Sequence, residues 1–254
     1  MSTAKIITFI NEKGGVGKTS TCFNSAWEIA RRGKRILMID MDGQKANLSF
    51  FVGLNKNGDL VTMADVFKKD IDIREAIRNV KENLDIVPAD ADISNLDMSA
   101  KVSKFRKAVS KVQGDYDYIF IDVNPAPGWS HYLSLSISDY AIIIMLPDIA
   151  SLEGNKGILE TIEEIQETNN SKLRILGFLF NKNNSRTVLA KQVSNVAQGM
   201  ARQHNTKIFS TKIRNAVVMS ENLVEHKGVT DYAPSSSAAD DLRKFADEIE
   251  EEIN

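Results

Sequence analysis

The sequence is short of several things, and each shortage narrows its reading. One cysteine, Cys22, occurs in 254 residues. That excludes an internal disulfide and a metal cage built from several thiolates of one chain, and makes a cytoplasmic location the default expectation. Long apolar runs are missing. A run such as "YAIIIML" at 140–146 falls far below the roughly 20 residues needed to cross a bilayer. The apolar run Ile6 to Ile10 leads straight into polar "NEKGG", so it reads as a first strand rather than a signal peptide. No Ser/Pro/Gly-rich linker and no internal repeat divides the chain. One domain spanning 1–254 is therefore expected, a length that can bury a large α/β core. Charge of one sign is also lacking overall: the net charge is −2, so the protein as a whole is no polycation.

The distribution of charge is less even than its sum. From Lys182 to Ser220 there is no Asp or Glu, yet Lys182, Arg186, Lys191, Arg202, Lys207, Lys212 and Arg214 fall there. From Asp240 onward the sign reverses, with Asp240, Asp241, Asp247, Glu248, Glu250, Glu251 and Glu252 against Arg243 and Lys244.

Short apolar runs recur at 5–10, 34–40, 83–89, 116–122, 139–146, 173–180 and 206–211. Helical patterns at 19–32, 101–112, 151–168, 185–204 and 236–252 separate most of them. Two-sided apolar strands alternating with helices predict an α/β fold, with a mostly parallel central sheet and helices on both faces. "APSSSAADD" at 233–241 reads as a loop that caps the last helix with serine or aspartate.

Between the first strand and the first helix lies "KGGVGKTS", residues 13–20, in the context a phosphate-binding loop requires. Gly14, Gly15 and Gly17, with Val16 between them, let backbone N–H groups converge on phosphate oxygens. The helix N-terminus beginning near Thr19 and Ser20 adds partial positive charge. Lys18 is placed for the β/γ-phosphates and Thr19 for Mg²⁺. One departure is Glu12, where the standard pattern has glycine. A second departure is a second lysine, Lys13.

The form "KGGVGKT" resembles the deviant Walker A ATPases of the ParA/MinD family, most closely the small Soj-like ParA partition proteins. The resemblance runs nearly the full length and includes "SLEG" at 151–154, "NNSRT" at 183–187 and "IRNAVVMSEN" at 213–222. It begins at the first strand, which implies the short type without an N-terminal DNA-reading extension. It implies a P-loop NTPase using ATP and Mg²⁺, with Lys13 reaching the partner's nucleotide in an ATP-bound homodimer. That inference is physically sensible, because burying an ATP–Mg²⁺ unit between two proteins calls for an additional cation.

"LMIDMDGQ" places Asp40 and Asp42 at a strand end, and resembles the family's D-x-D-P-Q with Gly43 in place of proline. The resemblance gives Asp42 the attacking water and Asp40 a place in the magnesium shell. "YIFIDVNPAPG" runs four apolar residues into Asp122, a geometry that aims a carboxylate at Mg²⁺. No His or Cys nucleophile is implied, and intrinsic ATP hydrolysis should be weak. Asn181, ending "LGFLFN", matches a position that contacts adenine in related ATPases; capping the next helix is the alternative. By resemblance, the partners are nonspecific DNA and a ParB-type protein that stimulates hydrolysis, with the ATPase on the nucleoid. Candidate phosphate-contacting residues are Arg186, Lys191, Lys207, Lys212 and Arg214, since neutralising phosphates is how nonspecific DNA binding works. A MinD-like membrane cycler would carry a basic amphipathic tail, and this tail is acidic. A cluster-binding reductase needs more than Cys22. A nucleotide-dependent scaffold, or an ATPase that positions a protein assembly, stays open.

Overall fold

The computed structural model describes residues 3–43, 47–54, 60–95, 101–183 and 188–253. The strands are β1 (Lys5–Ile10), β2 (Ile36–Met41), β3 (Arg78–Lys81), β4 (Leu84–Val87), β5 (Tyr118–Val123), β6 (Tyr140–Met145) and β7 (Arg174–Phe180). They form one sheet in the order β3-β4-β2-β5-β1-β6-β7. All pairings are parallel except β3 with β4. The helices are α1 (Lys18–Arg31), α2 (Asn47–Phe51), α3 (Met63–Lys69), α4 (Ile73–Ala76), α5 (Lys101–Ser110), α6 (Trp129–Ile137), α7 (Ile149–Thr168), α8 (Val188–Gln203), α9 (Val218–Val224), α10 (Val229–Tyr232) and α11 (Ser237–Ile253).

Alternation along the strands builds two cores, because successive side chains leave opposite faces. Ile6, Leu37, Ile39, Ile119, Ile121 and Ile143 pack with α3, α5, α6, α7 and α8. Ile7, Phe9, Met38, Phe120, Ile142 and Ile144 pack with α1 and α11. The parallel sheet is thus covered on both faces, as the two-sided apolar runs predict. Ser236 caps α11 through its Oγ, which accepts the Ala239 N–H at 3.2 Å.

The run at 206–211 is not a strand: its ladder pairing with β7 is an isolated Phe178–Ile208 bridge, beside a hydrogen bond from the Thr206 hydroxyl to the Ile175 carbonyl at 2.7 Å. The reason is local. The N–H groups of Ser210 and Thr211 donate to the Glu248 carboxylate of α11, each at 2.7 Å, so they are withdrawn from any ladder.

α1 is bound to α11 by a buried charge cluster. Glu28 is 1% exposed and accepts from Arg31 Nε and Arg32 Nε, both at 2.9 Å. Arg32 also reaches Asp247 at 2.6 Å and Glu250 at 2.9 Å. Burial alone would raise the Glu28 carboxyl, but the hydrogen bonds from Arg31 and Arg32 outweigh it and hold the group below its usual range. Glu28→Ala should cost about 2 kcal/mol, since it strands two charge-assisted hydrogen-bond donors. Asp247→Ala, at a site 55% exposed, should change stability by less than about 0.5 kcal/mol. Urea unfolding of the two variants checks the contrast.

Candidate nucleotide site

β1 lies inside the sheet, with the central strand β5 on one side and β6 on the other. Asp122 pairs in register with Phe9 of β1 and with Asp40 of β2. The P-loop, Asp40, Asp42 and Asp122 therefore converge at the carboxyl ends of three adjacent strands, where open α/β sheets bind ligands.

The loop is held by its own side chains. Asn11 Oδ1 accepts the Lys13 N–H at 2.6 Å. Its amide donates to the Ile144 carbonyl at 2.5 Å and to Asn155 at 2.9 Å, which ties the loop to β6 and α7. Gly15 and Gly17 have φ of 75° and 91°, a region open to glycine at little cost. At Gly17 a Cβ would also come within 2.1 Å of the Asn181 amide. α1 starts from Gly17 with no side-chain cap and no acidic residue in its first turn, so its free N–H groups are available to an anion.

Lys18 is only 6% exposed and donates to the Lys13 carbonyl at 3.4 Å. Burial lowers its pKa, while Asp122 and Asp42 work in the opposite direction. Both Asp122 oxygens are buried without a hydrogen-bond partner of normal geometry, although the Thr19 hydroxyl lies close enough to favour the charged form. Burial, with Asp40 adding to it, pushes the Asp122 carboxyl well above the carboxylate range. An orphaned buried carboxylate beside a threonine hydroxyl and a lysine fits a divalent cation. A cleft of about 370 Å³ opens above them. Gly14, Gly15, Gly17, Lys18, Thr19, Ser20 and Asp42 line one side, and Asn215, Ala216, Met219, Ser220 and Leu223 line the other. The donors on the first side and the apolar wall on the second fit a nucleotide with bound Mg²⁺. Val16 is fully buried, so only its backbone serves the loop.

Several of the expected site residues have partners within the protein. Asp40, expected in the magnesium shell, spends its fully buried carboxylate inside the protein. Oδ1 accepts the Asp42 N–H at 2.9 Å, and Oδ2 accepts Ser49 N–H and Oγ–H at 2.9 and 2.7 Å. It ties the start of α2 to β2. Burial raises its pKa to about 6. Asn181, expected at adenine or as a helix cap, lines the cleft, donates to the Val16 carbonyl at 2.7 Å and accepts the Lys182 N–H at 2.8 Å. It braces the P-loop from below.

The acid-free stretch is not a free basic face. Arg214 pairs with Asp241 at 2.7 Å and Lys207 with Glu252 at 2.5 Å, both acids coming from α11. Lys207 lies level with the middle of β7, and Arg214 lies past its end, at the nucleotide cleft. Lys212 sits over the Phe180 ring, 5.5 Å from its centroid. Arg186 and the side chain of Lys191 lie outside the described residues. Asn11, Asn155 and Lys182, whose Nζ donates to the Gly15 carbonyl at 2.8 Å, escaped the sequence reading. Only the polar "FIN" strand end hinted at Asn11. Lys13 forms an ion pair with Asp148 at 3.0 Å, both partners more than a third exposed.

Comparison with known proteins agrees with this geometry. Residues 4–175 match the model of an AAA domain family. Soj of Bacillus subtilis, a sporulation initiation inhibitor, is 31% identical over 96% of this chain and 98% of its own. The chain belongs to the ParA/MinD family of P-loop ATPases. The chromosome-partitioning ATPase Soj of Thermus thermophilus is 29% identical over 98% of this chain and 97% of its own. An ATP complex of McdA from Cyanothece superposes with a TM-score of 0.87 at 18% identity, covering 100% of this chain and 97% of that one. As a family member, the protein carries the nucleotide-binding fold at the carboxyl ends of β1, β2 and β5.

Beside the site, His131 Nε2 lies 2.8 Å from the Asn124 carbonyl, which can only accept, so Nε2 carries the proton. Burial pushes the His131 pKa down to about 4. The unfolded chain takes up a proton there below pH ~6.5, whereas the folded protein does not until about pH 4. Its contribution is complete above pH ~6.5 and is lost as pH falls toward 4. The native protein should lose about 2 kcal/mol between pH 7 and pH 5 that His131→Gln does not lose. Urea unfolding at both pH values checks this; equal losses would place the proton uptake elsewhere.

Proposed function

We propose that this protein is an ATP-gated partition ATPase: ATP closes two copies face to face, the pair binds DNA without sequence preference, and hydrolysis releases it. The observation that carries this reading is the unequal placement of the two P-loop lysines. Lys18 is sequestered near Asp42 and Asp122, a placement suited to the chain's own nucleotide. Lys13 stands at the lip, held by one exposed carboxylate that it can leave. A surface ion pair of this kind is worth about 1 kcal/mol or less, so exchange of Asp148 for a partner's phosphate is energetically easy. Bound Mg²⁺ would be held by Thr19 and Asp122 and would neutralise charge on the β/γ-phosphates.

Asp42 is 2% exposed and lines the cleft, a placement suited to orienting water at the terminal phosphate. Hydrolysis here depends on positioning and charge neutralisation rather than on a covalent intermediate. The partition names carried by the Soj relatives favour DNA as the track, and a ParB-type protein as the stimulating partner. The nucleoid would then be the place of work. An ATPase that positions a protein assembly is the second reading, favoured by the α11 acids that neutralise Lys207 and Arg214. No helix among the described residues is long and apolar enough to cross a membrane.

Two experiments test this. Lys18→Ala should abolish ATP binding, whereas Lys13→Ala should keep it and lose the dimer. Sedimentation with Mg²⁺ and a slowly hydrolysed ATP analogue reads the outcome, and a stable Lys13→Ala dimer contradicts the trans role. Lys212 has no acidic partner among the described residues and is the cleanest of the candidate cations. Lys212→Ala should weaken ATP-dependent DNA binding equally across sequences and flatten the salt dependence by about 1–2 counterions per dimer. A DNA titration from 50 to 200 mM salt that matches the native protein would remove Lys212 from the interface.

A further inference from the structure

The two walls of the cleft belong to different parts of the chain. Phosphate donors come from the P-loop and the first turn of α1. The apolar wall comes from α9 and the segment before it, some 200 residues later. The two walls are joined by a buried pair of asparagines that no catalytic step uses.

Asn24 is 1% exposed and Asn222 is fully buried. The Asn24 amide donates to the Ser20 carbonyl at 2.8 Å, one turn back toward the cleft. Its Oδ1 accepts the Val229 N–H at 2.8 Å, at the start of α10, and the Asn222 amide at 3.3 Å. The same Asn222 amide donates to the Lys227 carbonyl at 2.8 Å. Asn222 sits within α9, whose Met219, Ser220 and Leu223 face the cleft. One side of α9 therefore presents the wall and the other is bonded to the phosphate helix. Close by, a Cβ on Gly228 would come within 2.2 Å of Trp27, and Trp27 Nε1 donates to Asp231 at 2.8 Å. The α9–α10 segment is thus clamped to α1 at two successive turns.

The pair also carries a cost. Asn222 Oδ1 is buried without a partner, an arrangement that an apolar side chain of the same size would avoid. A stability role alone gives no reason to keep it. Directional bonds do give one: they fix register, where apolar packing tolerates sliding.

We propose that Asn24 and Asn222 are positioning residues that hold the α9 wall in register with the phosphate helix, and so set selectivity for a purine nucleoside triphosphate over a bare polyphosphate. This rests on the nucleotide reading of the cleft. Asn222 makes no hydrogen bond to the phosphate half, from Gly14 to Ser20, so its loss falls on the base half.

The test is titration calorimetry of the full chain, with Mg²⁺ present, using ATP, GTP and inorganic tripolyphosphate. Asn222→Leu should weaken ATP about tenfold, leave tripolyphosphate affinity within twofold of native, and narrow the gap between ATP and GTP. Should the leucine variant fail to fold, Asn222→Ser removes the same reach with less bulk and carries the same expectation. ATP and tripolyphosphate affinities that fall together, or that both stay native while only the melting temperature drops, overturn the proposal. A native protein that binds neither ATP nor tripolyphosphate would instead overturn the nucleotide reading itself, so the two failures are distinct.

Discussion

One lysine ammonium buried beside two carboxylates is the constraint around which the molecule is arranged. Lys18 lies near Asp42 and Asp122, and Asp40 stands in register with Asp122 on the neighbouring strand. Burial works against the charges of Lys18, Asp40 and Asp122 alike. Asp40 settles its own charge with three hydrogen bonds from the protein. Asp122 has less relief: the Thr19 hydroxyl and the Lys18 charge favour its carboxylate, but burial and Asp40 outweigh them. A buried carboxylate with so few donors is costly, and this one lies where a divalent ion fits. Asn11, backed by Asn155, and Asn181 tie the P-loop to β6, α7 and the end of β7.

The second organising feature is electrostatic pairing across long sequence distances. α11 supplies Asp241 to Arg214, Glu252 to Lys207, and Asp247 with Glu250 to Arg32. Glu248 takes two edge N–H groups. An acidic tail and an acid-free stretch, which look like two separate surfaces in sequence, are partners in the fold. The same helix packs against α1, so the element that receives phosphate is buttressed by the element that neutralises the sheet edge.

Much of the architecture was legible because it is periodic. Two-sided apolar runs such as Ile36–Met41 and Tyr118–Val123 are what a doubly covered parallel sheet demands. β3 was missed because "RNVK" is half-polar and pairs antiparallel at an edge. α3, α6 and α9 were missed because short helices held by tertiary contacts leave little periodic signal. At the site, Lys18, Thr19 and Asp122 were readable because loop spacing and strand ends locate them. Asp40 and Asn181 were less readable, since an Asp or Asn at a strand end can face ligand or protein, and only the tertiary structure brings Ser49 to Asp40 and Val16 to Asn181.

The sequence by itself therefore determined the α/β class, the phosphate loop, the pair of lysines within it and the carboxylates at the strand ends, because each depends on local spacing or on burial period. Only the tertiary structure decided which cations are free. Lys207 and Arg214 meet acids 45 and 27 residues away, and ion pairing acts through space. No count of charges along a segment registers a counter-ion that arrives from another helix.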